Sequence, residues 1–503
     1  MSDVRAVRAF LRSRGRAPVT WSDRYVTVFG LVVAALVLAH PVTSAFTSLT
    51  AAAGQTDPSQ AGAGLALIAL AYAGFMRLAR TVGPVVLPAA DAAWLVLSPL
   101  PRRPVLARTA LVLVAVSVVA GAALGVALLA VLGGGGHVAV RLALALALGM
   151  SATLGGMATA VLAQAHPAWG SRFDAGLLLA LVLLLVTVLV VAFVMHAPAG
   201  LAAACATACA TASAVLVRQA WAALGRIPAR SLLAASTRAG RVAAAATLID
   251  PGVLSWIAED DHWRGRVLRS RVWPRLLRAR WAAPALAWSD WRRLGRRPAR
   301  LCALLASTAL PSLASATLAS PATNGLVAAL LAIGAMTAAA ACTTGARRDH
   351  DDPALSRLSG VGARAALTAR AVLPMLLSAA WLTLALAGLG VIGALPPGPW
   401  WSLGILCAPA LAAGALRMAR RRPIDHTMPV IHTPAGSIPT GPLIWAATGA
   451  DVAALGCLPV LAAVPTSVSA GTPALGPLLV AQAVSGVAVL VVFLLRAAGP
   501  RGG

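Results

Sequence analysis

The sequence predicts an all-α polytopic membrane protein with about 12 transmembrane helices in two pseudo-repeated six-helix halves. Of its 503 residues, 59% are hydrophobic and only 11% are charged, whereas a soluble domain carries about 25% charged residues. A soluble core could not bury so much apolar surface, so the lipid bilayer must be the solvent for most of it. The apolar residues also recur in runs of about 20, the length that a helix needs to cross a membrane.

The chain opens with a basic amphipathic segment, residues 1–24, whose arginines surround apolar residues spaced roughly as one helical face. Such a segment is typical of a helix on the inner membrane surface. We predict a first membrane half at 25–221, a basic cytoplasmic connector at 222–299, a second half at 300–497 and a short tail at 498–503. The predicted spans lie near 25–48, 61–80, 106–132, 139–165, 174–196, 198–221, 300–319, 322–345, 367–393, 398–417, 442–465 and 474–497.

Arginine placement predicts the topology. All 41 basic residues are arginine, and the net charge is +26. With the N-terminus inside, 40 of the 41 arginines fall in inner segments and only Arg141 falls outside. Arginines collect in cytoplasmic loops, so we expect a bacterial cytoplasmic (inner) membrane protein with both termini cytoplasmic. The basic charge then reflects topology, and we expect no nucleic-acid partner.

The stretch 91–108, DAAWLVLSPLPRRPVLAR, organises the rest of the chain. Its three prolines forbid one continuous helix, its apolar side chains can cover an apolar surface, and its arginines favour a water-facing boundary. We predict a short kinked element that is presented to a cytoplasmic partner; the alternative is an ordinary basic inner loop. The candidate docking residues are Trp94, Leu97, Ser98, Pro99, Leu100, Pro101, Arg102 and Arg103.

A weaker copy of this stretch lies in the second half. Leu358 and Ser359 follow Asp352 at the distance at which the first Leu-Ser pair follows Asp91, and Arg364 matches Arg103. Leu358, Ser359 and Arg364 are therefore candidate docking residues as well. In the copy, glycines replace two of the prolines. Internal duplication of this kind is common among transporters.

Two groups of residues are candidates for an interfacial or gating role. The connector ends in an aromatic, arginine-rich stretch, and tryptophans favour the membrane interface. Asp174 and Asp451 lie near the inner starts of two matching spans, where an acid can relay protons or cations or can simply stabilise a helix N-terminus by about 0.3–1 kcal/mol. The candidates are Trp288, Asp290, Trp291, Arg296, Arg297, Asp174 and Asp451.

The stretch LSPLPRRPVLART, residues 97–109, resembles the LPxSRxxLxxxK/R element between the second and third helices of type-2 ABC exporter permeases. The chain is also similar to an actinobacterial group of ABC-permease-like multi-pass membrane proteins, through Gly83-Pro84, Trp288-x-Asp290 and Thr433-Pro-x-Gly-x-x-Pro439. The resemblance implies that an amphipathic interfacial helix precedes each half. It also implies that the inner element is a coupling helix that docks on an ATPase subunit.

These observations predict a permease component of an ABC-type exporter that moves a hydrophobic or amphipathic substrate. Without lysine the chain cannot contain a Walker A motif, so a separate ABC ATPase subunit must supply the energy. No residue cluster suggests catalysis, a metal site or a cofactor, and we expect none of these. The alternatives are an ion-coupled secondary transporter or flippase that works through Asp174 or Asp451, and a membrane scaffold without transport.

Overall fold

The computed structural model describes residues 58–87, 89–132, 138–166, 199–247, 282–317, 321–354, 360–422, 428–433, 436–466 and 475–497. Within these ranges the chain is helical except for one two-stranded hairpin. It forms two compact units, Met1–Arg241 and Val242–Gly503. The boundary falls inside the expected connector at 222–299, so that segment is divided between the two units.

In the first unit, helix α4 packs between α3 and α5. The close approach of α3 and α4 depends on Gly121, Gly125 and Gly149, where a Cβ would overlap the backbone of the facing helix. Small residues allow this contact in membrane helices, and Thr153 Oγ1 strengthens it by donating to Ser117 O at 2.8 Å. The elements are α1 (Pro58–Val82), α2 (Ala89–Leu95), α3 (Arg102–Leu132), α4 (Val138–Ala165), α5 (Ala199–Ala223), a 3-10 turn (Leu224–Arg226) and α6 (Ala229–Thr247).

In the second unit, two long helices, α12 and α13, form the centre of the packing. A buried apolar cluster around Trp381, Leu389 and Leu411 lies between them and α10. The elements are α7 (Ala282–Gly295), α8 (Pro298–Ser307), α9 (Leu310–Thr317), α10 (Pro321–Ala340), α11 (Thr344–Asp351), α12 (Ala363–Val391), α13 (Ser402–Ala419), β1 (Val430–Thr433), β2 (Gly436–Pro439), α14 (Thr440–Ala447), α15 (Ala450–Gly456), α16 (Leu458–Thr466) and α17 (Leu475–Ala497).

Six helices in the described part of the chain are long and apolar enough to cross a membrane: α1, α3, α4, α12, α13 and α17. Two bent pairs meet the same test together. The first pair is α7 with α8–α9, bent by 86°, and the second is α10 with α11, bent by 58°. Val119 on α3 is 70% exposed and Val484 on α17 is 65% exposed, which suits lipid as the surrounding solvent. The expectation of a helical membrane protein is thus confirmed.

The number of spans stays a prediction. The expected basic segment at 1–24 and the expected spans at 25–48 and 174–196 lie outside the described residues. Among those described, the expected span near 61–80 falls within α1, and the one near 367–393 coincides with α12 except for its last two residues.

Three expected spans contain a break. The span expected at 322–345 runs past the end of α10 at Ala340 into the turn before α11. The span expected at 300–319 is interrupted between α8 and α9, just before Pro311, which has no N–H to continue the helical ladder. The span expected at 442–465 forms α14, α15 and α16. The first of its two breaks lies at Gly449, whose φ of 104° is a backbone conformation that glycine adopts readily and other residues rarely do. At the second break, the buried amide of Gln482 donates to Gly456 O at 2.8 Å.

The all-α expectation also omitted the antiparallel hairpin β1–β2, in which Ile431 pairs with Ile438. This hairpin lies in the proline-containing stretch between α13 and α14. The guanidinium of Arg421, just after α13, lies 3.5 Å from the ring centroid of Trp445 in α14. The end of α13 thus contacts α14.

Candidate functional site

Residues 83–101, which the arginine pattern predicts to be on the inner side and which we call the inner element, join α1 to α3 and contain α2. The element starts at Gly83, whose φ of 95° reverses the chain and favours glycine. A Cβ at this position would lie only 2.7 Å from the Cβ of Ala235 on α6. The Gly-Pro pair that begins the element therefore has a steric basis: it turns the chain where α6 leaves no room for a side chain.

The underside of the inner element is fixed to α4 and α6. The side-chain amide of Gln164 accepts from Val85 N and donates to Val85 O, both at 3.1 Å. Ser236 Oγ accepts from Leu87 N at 3.4 Å. Buried Ala92, Leu95 and Val96 join the apolar cluster that includes Leu224, Ile227 and Leu232. The element is thus packed and hydrogen-bonded from below.

The opposite face of the inner element is accessible. Trp94 is 77% exposed and Leu97 is 69% exposed, and Pro99 and Pro101 are exposed next to them. We call these four residues the apolar platform. Arg103 is also exposed and lies two residues after Pro101 in the chain. The platform lies where α1 ends and α3 begins, at a terminus of the membrane-capable helices.

The other candidate docking residues hold the element together. Ser98 Oγ donates to Leu95 O at 2.8 Å, and half-buried Leu100 packs against the core cluster. Arg102 Nη1 donates to Ile227 O at 2.9 Å. The structure therefore places six of the eight candidates of the first half in the inner element and the other two, Arg102 and Arg103, at the start of α3, and it divides the eight into a supporting set and an accessible set.

In the second unit, the short helix α11 follows the longer helix α10 and precedes the longer helix α12 in the chain. The short helix α2 has the same place between α1 and α3 in the first unit. Arg364 is exposed in the first turn of α12. Leu358 and Ser359 lie outside the described residues, so the match of the two Leu-Ser pairs stays a prediction.

A buried ion-pair network joins three helices of the second unit. Arg370 on α12 contacts Asp290 on α7 at 2.6 Å between Nη1 and Oδ1. It also contacts Asp349 on α11 at 3.0 Å between Nε and Oδ2. Only 5% of Arg370 and 3% of Asp290 are exposed. The network fixes α7 and α11 to the start of α12.

The packing around this network is close. A Cβ at Gly345 would overlap both the guanidinium of Arg370 and the carboxylate of Asp290. Arg370 Nη1 also donates to Ser289 Oγ at 3.3 Å. Sequence reasoning selected Asp290 as an interfacial or gating residue but missed Arg370 and Asp349. A signal for Arg370 did exist, since it lies within an apolar run, where a charged residue usually has a partner.

The aromatic residues at the end of the connector lie on the accessible side of α7. Trp288 is 36% exposed and Trp291 is 49% exposed. Arg296 is exposed and Arg297 is half-buried in the link between α7 and α8. This placement suits the interfacial role that the tryptophan content predicted.

Asp451 lies in the first turn of α15, where its Oδ1 accepts hydrogen bonds from Gly449 N and Val452 N at 2.7 Å each. Its Oδ2 pairs with Arg417 Nη2 at 2.9 Å, and both side chains are 44% exposed. This is the geometry of an acid that stabilises a helix N-terminus. The other candidate relay residue, Asp174, lies outside the described residues.

No group of three or more His, Cys, Asp or Glu side chains that could hold a metal ion occurs among the residues that the structure describes. The chemistry of the described part is therefore that of an apolar platform, a buried ion-pair network and a set of helix-end arginines.

Apolar helices of membrane-spanning length, ending at an ordered platform and an ion-pair network, define a helical membrane protein. Residues 56–429 match the model of DUF6297, a family of unknown function, and the chain belongs to this family. The matched region includes both the apolar platform and the ion-pair network. The chain has no significant match among curated proteins or among solved structures.

Proposed function

We propose that this protein is the membrane permease component of an ABC-type exporter and that a separate ATPase subunit docks on the apolar platform. The observation that carries the proposal is the contrast between the two faces of the inner element. Its underside is packed and hydrogen-bonded, whereas Trp94 and Leu97 on its other face are 77% and 69% exposed.

An exposed tryptophan on a rigid support has the character of an interface anchor. Large aromatic residues dominate binding energy at interfaces, and a support that is already ordered lowers the entropy lost on binding. The exposed Arg103 beside the platform adds a charge that suits an acidic rim on a soluble partner. A water-soluble subunit can reach this surface because it lies at a helix terminus and not along the membrane-capable length.

The mechanism follows from how the inner element is held. ATP binding closes the partner subunits, which push on the platform. Because Gln164 ties the element to α4 and Arg102 ties the start of α3 to Ile227, the push moves these helices together. In the second half, α11 and Arg364 receive the same push. The two halves then rock and release a hydrophobic or amphipathic substrate.

This proposal includes the finer topology: twelve spans in two repeated halves, in the bacterial cytoplasmic membrane, with both termini in the cytoplasm. The shared order of long helix, short helix, long helix, long helix in α1–α4 and α10–α13 supports the repeat. The ion-coupled alternative gains no support from Asp451, whose carboxylate is engaged by Arg417 and two backbone amides.

The test is to reconstitute the protein in lipid nanodiscs and measure binding of ABC ATPase subunits from the same organism. Trp94→Ala should weaken binding by about 30-fold or more, the equivalent of a loss of about 2 kcal/mol at a binding hot spot. Leu97→Ala should act in the same direction. Leu111→Ala on α3 is the matched control, because Leu111 is 60% exposed but lies within the membrane-capable length.

Both platform residues are exposed, so their replacement should leave folding intact and a binding loss can be read directly. ATPase binding that is unchanged in Trp94→Ala and Leu97→Ala would refute docking on this platform. Failure of the wild-type protein to bind any ATP-hydrolysing subunit would favour the scaffold alternative.

A further inference from the structure

Two cysteines from different helical segments lie together in the apolar core of the second unit. Cys407, in the second turn of α13, is only 4% exposed. Cys457 is half-buried in the junction between α15 and α16 and packs against the same cluster as Cys407. Both are free cysteines, and their thiols interact through a side-chain hydrogen bond. Two thiols in direct contact are close to the geometry that a disulfide bond requires.

The packing around the two cysteines holds their backbones close to each other. A Cβ at Gly456, the residue before Cys457, would overlap the Cβ of Ala410, which lies one turn after Cys407 on α13. From the other side, the buried amide of Gln482 on α17 donates to Gly456 O at 2.8 Å. The junction is therefore fixed against α13 and α17, and the two thiols stay in contact.

Cys457 has the properties of the thiol that reacts first. It immediately precedes α16, and its carbonyl oxygen accepts a hydrogen bond from Leu461 N at 3.0 Å. A helix N-terminus favours the thiolate, which is the nucleophilic form of cysteine. Leu455 and Leu458 on either side of the junction are exposed, so a small uncharged oxidant can reach it. The more deeply buried Cys407 is placed to react second.

We propose that Cys407 and Cys457 are an oxidation site of this protein and form a disulfide bond when a small hydroperoxide, such as hydrogen peroxide, reaches the junction. The bond links α13 covalently to the junction between α15 and α16. These segments and α17, which Gln482 attaches to Gly456, then move as one body until a thiol reductant reverses the bond. The site does not depend on the proposed transport function.

The reaction has two steps. The Cys457 thiolate attacks one peroxide oxygen and the O–O bond breaks, which leaves a sulfenic acid on Cys457 and a hydroxide that takes up the proton lost by the thiol. The sulfur of Cys407 then attacks the sulfenic sulfur, the S–O bond breaks, and water leaves with the Cys407 proton. In total, two thiols are oxidised by two electrons and hydrogen peroxide is reduced to two water molecules.

The experiment treats the full-length protein in a neutral detergent with hydrogen peroxide, blocks the remaining thiols and maps the peptides by mass spectrometry without reductant. Most of Cys457 should be recovered in a peptide linked to Cys407, lighter by two hydrogen atoms than the two peptides together. A thiol reductant added before the blocking step should restore both free thiols. The same treatment of denatured protein should give much less of this link, because the fold no longer holds the two cysteines together.

Two variants test the order of the steps. In Cys407→Ala the second thiol is missing, so Cys457 should stop at the sulfenic acid, which a cyclic diketone reagent traps. In Cys457→Ser, Cys407 should stay a free thiol, because no sulfenic acid forms beside it. Cys302→Ser is the matched control, because it removes an exposed thiol from α8 and should leave the link unchanged.

Three results would overturn the proposal. Oxidised, folded wild-type protein without the Cys407–Cys457 link would show that the two thiols serve only in packing. A link that forms equally well in denatured protein would show that the fold contributes nothing to it. Trapping of the sulfenic acid on Cys407 instead of Cys457 would reverse the assigned roles. The first two results come from the wild-type protein, so they decide the matter even if a variant fails to fold.

Discussion

Replacing Arg370 by methionine should destabilise the second unit strongly. The change keeps a long apolar side chain on α12 but removes the guanidinium that joins α7, α11 and α12. Asp290 is only 3% exposed, and its second oxygen, Oδ2, accepts no hydrogen bond from the described residues. Without Arg370, the buried carboxylate of Asp290 loses its direct ion-pair partner.

The expected loss in the free energy of unfolding follows from the loss of this ion-pair partner. Removing one partner of a buried ion pair costs about 3–5 kcal/mol, because the remaining charge stays desolvated. Asp349 adds less to the cost, because its side chain is 31% exposed and water can replace its partner. The double variant Arg370→Met/Asp290→Asn removes the orphaned charge, so we expect it to recover about 2 kcal/mol of the loss.

Detergent-solubilised protein can be unfolded with denaturant and followed by tryptophan fluorescence. The expected order of stability is wild type, then the double variant, then Arg370→Met. Arg364→Met serves as the control, since it removes an exposed arginine from the same helix and should change the free energy of unfolding by less than about 0.5 kcal/mol. If Arg370→Met is as stable as the control, or less damaging than the double variant, the ion pair does not hold the three helices together.

Two further variants test the tight packing at each site. Gly345→Ala should lower the free energy of unfolding by about 1–3 kcal/mol because the new methyl group overlaps the ion-pair network; Gly295→Ala, which meets no neighbour, should not, and equal stability of the two would contradict the close packing. Gln164→Leu leaves both backbone groups of Val85 unpaired, at about 1–3 kcal/mol each. Hydrogen exchange in the inner element should become faster in that variant but not in Thr159→Ala, whose hydroxyl bonds only within α4.

The sequence contains enough information to predict the membrane class and a kinked element between α1 and α3. Runs of apolar residues identify membrane helices because each run must itself satisfy its backbone hydrogen bonds in lipid. The prolines around Ser98 likewise limit the local conformation. What the stretch cannot reveal is the difference between Arg102 and Arg103. That difference arises because Arg102 reaches the carbonyl of Ile227, 125 residues away in the chain.

The ion-pair network is even harder to predict from the sequence, because its residues also lie far apart in the chain. Asp290 and Arg370 are separated by 80 residues, and no local spacing relates them. The breaks near Gly449 and Pro311 are intermediate cases. Glycine and proline suggest such breaks, but membrane helices also tolerate both residues when neighbours satisfy the backbone. The packing around each position decides the outcome, and the sequence alone does not show it.

The segmented helices α14–α16 have a mechanical consequence. The helical ladder is interrupted at Gly449, which packs closely against α13: a Cβ there would lie 2.6 Å from Gly414 O and 2.9 Å from the Cβ of Met418. At the second break, between α15 and α16, the side-chain amide of Gln482 on α17 donates a hydrogen bond to Gly456 O. The stretch 440–466 is thus held at both breaks, and a change in the direction of α14 has to break the contacts of Trp445 with Arg421 and Arg422.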